Sequence, residues 1–223
     1  MSNPRVVIFD VDGTLVDSQN LIVSAMESAF EAASLALPER AALLSIVGLS
    51  LPVAMRVLVP DATDSQIQTL VEGYKSAYFT LRQSLGSAET SPLFPGIDAV
   101  LADLSAQPQT ILAVATGKSR RGLDKLIEGH GWQGLFFSGQ VADDHPSKPN
   151  PSMLSAILRD TGLDPDRAVM IGDTSFDMDM ARAAGIRSIA VGWGYHRPET
   201  LVADAFVKTP AEILPAIDTL LED

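Results

Sequence analysis

The chain has 223 residues and a hydrophobic content of 46%, so it can bury a core and form one domain, or one domain with a small second one. Its formal net charge of −12 and its isoelectric point near 4.5 argue against nucleic acid or an anionic membrane surface as a partner, because both require basic patches. The absence of cysteine excludes disulfides, thiol catalysis and zinc–thiolate sites.

No targeting segment is predicted. The first nine residues contain too short an apolar run for a signal peptide, and no segment reaches the length of a membrane span. We therefore expect a soluble, cytoplasmic protein.

The first apolar run, residues 6–9, leads directly into Asp10, Asp12 and Gly13. Residues two apart on a strand share a face, so both carboxylates can converge on one point, and glycine allows a sharp bend after them. Two acids this close favour different protonation states, which suits one to attack as an anion and the other to carry a proton. For this motif alone, a solvated turn is the alternative.

The next segment, residues 17–86, has no predicted strand, and its apolar residues recur at helical spacing. Ser50 is a plausible cap before a proline. The predicted helices cover residues 21–33, 39–47, 51–58 and 67–81. We interpret this segment as a helical insertion whose tyrosine and methionine stripes form its own core.

A stretch rich in proline, residues 91–96, is predicted to return the chain to a helix over residues 97–106. The apolar run that follows, residues 111–115, ends in Thr116-Gly117-Lys118. A hydroxyl, a glycine N–H that a ligand can approach closely and an ammonium are donors that suit a phosphate group. A strand end with a hydroxyl cap is the alternative for this stretch alone.

Residues 135–137 form the next predicted strand, and Lys148-Pro149-Asn150-Pro151 follows it. The two prolines restrict the backbone and would hold Lys148 in place. A positioned ammonium stabilises the charge that develops during phosphoryl transfer. A single lysine is otherwise usually a solvated surface residue.

The apolar run over residues 168–171 again leads into acids, Asp173 and Asp177. Together with the first pair, these carboxylates would crowd one edge of a sheet and require a divalent cation, for which Mg²⁺ fits best. For Asp173 alone, a helix N-cap is the alternative. We interpret Asp179 as an exposed helix charge.

Residues 188–191 and 205–207 complete six predicted strands, and Thr209-Pro210-Ala211-Glu212 predicts a capping box and a final helix. Strands that alternate with helices imply an α/β fold, a Rossmann-like, doubly wound, mostly parallel sheet. Ligands of such sheets bind beyond the carboxyl ends of the strands. Three of the motifs begin at such ends.

In kind and order, the four motifs resemble those of the haloacid dehalogenase (HAD) superfamily of aspartate-nucleophile phosphatases, in the branch with a helical C1-type cap that includes phosphoglycolate phosphatases. The resemblance spans nearly the whole chain. It implies a HAD-like α/β core over residues 1–16 and 87–223 and a helical cap over residues 17–86. It also implies a Mg²⁺-dependent phosphoric monoester hydrolase that acts through an aspartyl-phosphate, with phosphoglycolate first among its small phosphorylated substrates.

The resemblance further implies a role for each motif. Asp10 would be the nucleophile, and Asp12 would protonate the leaving alkoxide and then activate water. The phosphate would be bound by Thr116, the Gly117 amide and Lys148. Magnesium would be held by the Asp10 carboxylate, the Asp12 backbone carbonyl and Asp173, with Asp177 acting through water or orienting Lys148.

Other activities use the same scaffold. Asp12 argues against a dehalogenase, while pyrophosphatase action stays open. A β-phosphoglucomutase-like phosphomutase ranks lower, because the histidine found in the cap of those enzymes has no counterpart: His130, His145 and His196 all lie outside the insertion. A phospho-accepting binding module is the alternative that is not an enzyme, although receiver domains resemble a different motif order.

Substrate choice would depend on the insertion. The candidates there are the loop of residues 48–50 and three cations, Arg56, Lys75 and Arg82, although a long basic side chain is more often a solvated helix charge than a ligand contact. A Trp193-Gly194-Tyr195 stretch also resembles the family, but it could merely pack the edge of the sheet. The sequence predicts no oligomeric state.

Overall fold

The computed structural model describes residues 3–221, apart from the side chains of residues 85, 87 and 88. Six strands and ten α-helices lie in this part of the chain. The strands are β1 (Arg5–Phe9), β2 (Thr110–Thr116), β3 (Ser138–Val141), β4 (Ala168–Gly172), β5 (Arg187–Val191) and β6 (Ala205–Val207). The helices are α1 (Gln19–Ala32), α2 (Arg40–Ser45), α3 (Leu51–Leu58), α4 (Asp64–Leu85), α5 (Ser87–Thr90), α6 (Ile97–Ser105), α7 (Arg120–His130), α8 (Ser152–Thr161), α9 (Ser175–Ala184) and α10 (Ile213–Leu221).

The strands form one parallel sheet in the order β3-β2-β1-β4-β5-β6. Helices connect them, so the predicted α/β, Rossmann-like fold is confirmed. β1 lies between β2 and β4, and their carboxyl ends are therefore neighbours at one edge of the sheet. This order positions the three motifs that follow these strands next to one another.

Apolar layers cover both faces of the sheet. Alternate residues of β1 belong to different layers: Val7 and Phe9 pack with α6, α7 and α10, while Val6 and Ile8 pack with α8 and α9. The period of two along a strand produces this division. Every residue of β1 is buried, and burial on both faces is why residues 6–9 are a continuous apolar run.

Residues 17–86 contain helices and no strand, as predicted. Helices α1 to α4 enclose an apolar cluster of their own, in which Met26 and Met55 are at most 1% exposed. Methionine therefore belongs to the core of this segment, as the sequence indicates. The division into a core and a cap domain stays a prediction, and residues 1, 2, 222 and 223 lie outside the described part.

Two local predictions were wrong. The third strand is β3, not residues 135–137: Leu135 and Phe136 pack against the core in a turn after α7, while Phe137 is 64% exposed. β3 contains few apolar residues, and its pairing with β2 fixes it. The capping box is also absent, because Glu212 accepts the backbone N–H of Lys208 instead.

Among the described helices, none combines the length and the apolar character that crossing a lipid bilayer requires.

Candidate active site

The centre of the site is a buried ion cluster at the carboxyl end of β1. Lys148 Nζ lies 2.9 Å from Asp10 Oδ1 and 2.6 Å from Asp177 Oδ1, and all three side chains are at most 1% exposed. Burial raises the pKa of Asp10 to about 7, although Lys148 opposes the shift. Burial alone would lower the pKa of Lys148, but the two carboxylates raise it above its usual range. The lysine is therefore a fixed cation within this cluster.

Asp177 is held in place from its own helix. Thr174 is the N-cap of α9, and its backbone N–H and hydroxyl both donate to Asp177 Oδ2, at 3.1 and 2.7 Å. The other carboxylate oxygen is then directed toward Lys148. The N-cap is Thr174 and not Asp173, so the alternative interpretation of Asp173 as a cap does not hold.

Three carboxylates could hold a metal ion. One oxygen from each of Asp10, Asp173 and Asp177 lies within 4.8 Å of the others, and all three residues are buried. Asp10 Oδ2 has no hydrogen-bond partner among the described residues. Burial, and then the nearby Asp10 and Asp177, raise the pKa of Asp173 well above its usual range. A hard divalent cation would relieve this repulsion, and oxygen donors of this kind fit Mg²⁺.

Asp173 is oriented by residues on two loops. The Thr14 hydroxyl donates to its Oδ1 at 2.9 Å, and the Tyr195 backbone N–H donates to its Oδ2 at 2.8 Å. Gly13 and Gly194 contact it so closely that a Cβ at either position would overlap its side chain. Both loops therefore need glycine to approach the carboxylate.

Asp12 belongs to a second hydrogen-bonded group. Lys118 Nζ lies 2.8 Å from Asp12 Oδ1, and Ser18 also donates to this oxygen. Lys118 donates in addition to the Tyr78 hydroxyl at 3.0 Å, so it connects the acid to α4. Burial alone would lower the pKa of Lys118, but Asp12 and Tyr78 raise it above its usual range. The Tyr195 hydroxyl accepts the Ser18 backbone N–H at 2.9 Å.

A cavity of about 550 Å³ opens above these groups, between the sheet edge and the helical segment. Asp10, Asp12 and Thr116 lie at its floor. The loop of residues 48–50 approaches from the other side, so closely that a Cβ on Gly117 would lie 2.6 Å from the carbonyl oxygen of Gly48. The helical segment therefore covers the site in this structure.

Comparison with known proteins identifies this arrangement. The model of the haloacid dehalogenase-like hydrolase family matches residues 7–191. The chain belongs to this family. The resemblance of the four motifs to this family is therefore confirmed. Several relatives of this haloacid dehalogenase-like hydrolase are named phosphatases.

Three relatives are similar over most of the chain. The probable phosphatase IndB of Dickeya dadantii is 35% identical over 222 residues, which cover 97% of this chain and 94% of that protein. The tyrosine-protein kinase PtkA of Mycobacterium tuberculosis is 31% identical, over 99% of this chain and 71% of that protein. The phosphoglycolate phosphatase of Pectobacterium atrosepticum is 31% identical, over 96% and 92%.

Solved structures support the same family. A haloacid dehalogenase-like hydrolase from Streptococcus pneumoniae has a TM-score of 0.82 and 27% identity, and the match covers 97% of this chain and 99% of that one.

In this haloacid dehalogenase-like hydrolase, the predicted site residues divide between the cavity and the layer behind it. Gly117 and Lys118 line the cavity beside the floor residues, whereas Lys148 and Asp173 lie behind Asp10 and do not line it. Asp179 lies on the helix surface in contact with Arg182, as predicted.

The basic candidates on the helical segment have different surroundings. Lys75 and Arg82 line the cavity, as does the loop of residues 48–50. Arg56 does not line it, because its guanidinium contacts Asp64 and the Ala62 carbonyl. Arg56 is therefore removed from the set of candidate anion partners.

Sequence reasoning missed several residues that the structure places at the site. The ion pair of Lys118 with Asp12 was not predicted, although the lysine lies in a motif that we singled out. Thr14 donates to Asp173 and Ser18 donates to Asp12. Their position shortly after the first motif is the only signal in the sequence for these contacts. Tyr195 lies in the Trp193-Gly194-Tyr195 stretch, which packs on the site through the contact of its backbone with Asp173.

Proposed function

We propose that the chain is a Mg²⁺-dependent phosphatase that hydrolyses a small phosphorylated metabolite through an aspartyl-phosphate on Asp10. The observation that carries this proposal is the position of Asp10: it lies at the cavity floor, in contact with a buried lysine and within reach of two further carboxylates. Phosphoglycolate is the first substrate to test, because a relative with that activity in its name is 31% identical to this chain.

The reaction would proceed in two steps. Asp10 attacks phosphorus, the ester P–O bond breaks, and the Asp12 carboxyl gives its proton to the departing alkoxide. Asp12 then takes a proton from water, whose oxygen attacks the phosphorus of the aspartyl-phosphate and releases inorganic phosphate and free Asp10. Thr116 and the Gly117 amide would hold phosphate oxygens during both steps.

Lys148 would neutralise the nucleophile and the phosphoryl group, as its contact with Asp10 favours. Mg²⁺ bound between Asp10, the Asp12 carbonyl and Asp173 would supply further neutralisation of phosphate charge. Asp177 holds Lys148 in place and could act on the cation through water. Core residues 1–16 and 87–223 would supply the chemistry, and the cap of residues 17–86 would exclude bulk water.

Phosphate release tests this function directly. With Mg²⁺ we expect many phosphates per chain from phosphoglycolate or another small monoester. After removal of the cation by EDTA we expect a rate at least about 100-fold lower, because about 2.7 kcal/mol or more of charge stabilisation is lost. Bound Mg²⁺ at about 100 times its Kd should add about 2.7 kcal/mol to the stability and raise the Tm.

The outcomes of this assay separate the alternatives. Release of at most one phosphate per chain would instead favour a phospho-accepting module. Activity that EDTA leaves intact, with no change in Tm on adding Mg²⁺, would contradict the metal assignment. Preferential cleavage of pyrophosphate would assign the same site to an anhydride.

Lys118 provides a second test, because it contacts the proposed acid–base residue. We expect Lys118→Met to lower kcat by about 10- to 100-fold, since general acid–base catalysis contributes about 10²- to 10⁴-fold and this lysine positions Asp12. The loss should appear in kcat and not in KM, because the contact removed is with the acid–base residue. The control is Lys208→Met, an exposed lysine. An unchanged kcat would exclude a positioning role.

A further inference from the structure

The cavity is larger than a phosphate group requires. A volume of about 550 Å³ lies in the range of sites that enclose a drug-sized molecule, whereas a phosphate beside Asp10 would fill only the floor. The remaining space borders the helical segment. The side chains that this segment contributes are mainly apolar or aromatic, among them Ile22, Met26, Val47, Leu49, Tyr74 and Tyr78.

Two tyrosines form one wall of this space. Tyr74 and Tyr78 lie one turn apart on α4, with ring centroids 5.6 Å apart and ring planes tilted by 35°. The Tyr78 ring is fixed by Lys118, whose Nζ donates to its hydroxyl and lies 5.3 Å from its centroid. Because Lys118 also contacts Asp12, the aromatic wall begins directly beside the proposed proton donor.

The Tyr74 hydroxyl is available to a ligand. Tyr74 lines the cavity, and no described residue makes a hydrogen bond with its hydroxyl. Burial, and then the nearby Tyr78 and Asp12, raise the pKa of this phenol well above its usual range, so it remains a neutral donor. A phenol hydroxyl that is accessible from a cavity can donate its hydrogen bond to a ligand there.

The two tyrosines offer a leaving group an aromatic face that carries no charge. Among the described lining residues of the helical segment there is no carboxylate, and its two cations are Lys75, which is exposed, and Arg82, which donates to the Gly122 carbonyl. A flexible acyclic group would lose rotamer freedom in this space, whereas a rigid planar ring loses little and gains stacking.

We propose that the substrate is a phosphate monoester whose leaving group carries a planar ring, which packs on Tyr74 and Tyr78 and accepts a hydrogen bond from the Tyr74 hydroxyl. This inference rests on the proposed phosphatase function and specifies its substrate class. The ester oxygen would lie toward Asp12 and the ring toward α4. We call the surface formed by Tyr74 and Tyr78 the ring site.

The test compares matched esters. We expect kcat/KM for a ring-bearing alkyl monoester, such as a nucleoside 5′-monophosphate or benzyl phosphate, to exceed that for phosphoglycolate or glycerol 3-phosphate by at least about 10-fold, since burying a ring contributes more than about 1.4 kcal/mol. Equal or higher efficiency with the acyclic esters would overturn the proposal.

Variants of Tyr74 locate the effect. Tyr74→Leu removes the aromatic face and should lower the ratio of ring to acyclic kcat/KM by about 3- to 10-fold. Tyr74→Phe keeps the face and should lower the ratio only for rings that carry a hydrogen-bond acceptor. The control is Phe137→Leu, a matched aromatic replacement at an exposed position outside the cavity. Equal losses for both ester types would show that Tyr74 acts only on the fold.

A binding measurement separates this proposal from the proposed function. If no ester of either type releases phosphate, the phosphatase function fails. A ring-bearing phosphonate can then be titrated by calorimetry, because its binding requires no turnover. The ring site would be supported if the ring-bearing phosphonate binds more tightly than methylphosphonate and if Tyr74→Leu abolishes this difference. Equal affinity of the wild type for the two phosphonates would reject it.

Discussion

Replacing Asp10 by asparagine is expected to lower kcat by about 10⁴-fold or more, because an amide cannot form the acyl-phosphate bond through which the reaction would pass. The measurement is phosphate release with saturating Mg²⁺. The loss should appear in kcat for every substrate, ring-bearing or acyclic, since all of them would pass through the same intermediate.

The variant should fold normally. Lys148 keeps its 2.6 Å contact with Asp177 when Asp10 is neutral, and the replacement removes a carboxylate whose pKa burial raises. A Tm within a few degrees of the wild type would therefore accompany the loss of turnover. Asp179→Asn is the matched control, because Asp179 lies on the surface of α9, where its carboxylate contacts Arg182. Turnover that survives in Asp10→Asn would refute the nucleophile assignment.

The fold could be predicted because a sequence in which strands alternate with helices is compatible with few architectures, and all of them contain a parallel sheet. Residues 6–9 and 168–171 are apolar throughout, which marks them as central strands buried on both faces. Their acids had to lie at the carboxyl ends, where ligands bind. The meeting of Asp10 with Asp173 follows from that logic once β1 and β4 are neighbours.

The third strand could not be predicted in the same way. Ser138–Val141 contains a serine, a glycine and a glutamine, and it forms a strand because its backbone pairs with that of β2. Its apolar neighbours, Leu135 and Phe136, serve the core from a turn. An apolar pattern in the sequence indicates which residues are buried. Here the buried apolar residues, Leu135 and Phe136, precede the strand and do not belong to it.

The contacts around Asp12 show a second limit. Lys118 is 106 residues from Asp12 in the sequence, and its partner Tyr78 lies on another element. No local pattern encodes such a group, because it depends on how α4 packs above the sheet edge. Tyr74 and Tyr78 pack against the apolar cluster of the helical segment, as the sequence predicts, but they also line the cavity, which the sequence does not indicate.

Lys148→Met is expected to affect both stability and activity. Asp10 and Asp177 are buried, and without the lysine their negative charge has no compensation, which should cost about 3–5 kcal/mol of stability. The deficit should shrink as the pH falls, because Asp10, whose pKa burial raises to about 7, then takes up a proton and loses its uncompensated charge. The exposed Lys208→Met should change stability by less than about 0.5 kcal/mol.

A double variant separates the structural role of Lys148 from its chemical one. Adding Asp177→Asn to Lys148→Met removes one of the two uncompensated charges but keeps an oxygen that can accept from Thr174, so much of the lost stability should return. The kcat should stay about 10³-fold below the wild type, because the cation that would neutralise the phosphoryl group is still missing. Recovery of activity together with stability would mean that Lys148 only holds the fold. Denaturant unfolding and phosphate release on the same preparations distinguish the two outcomes.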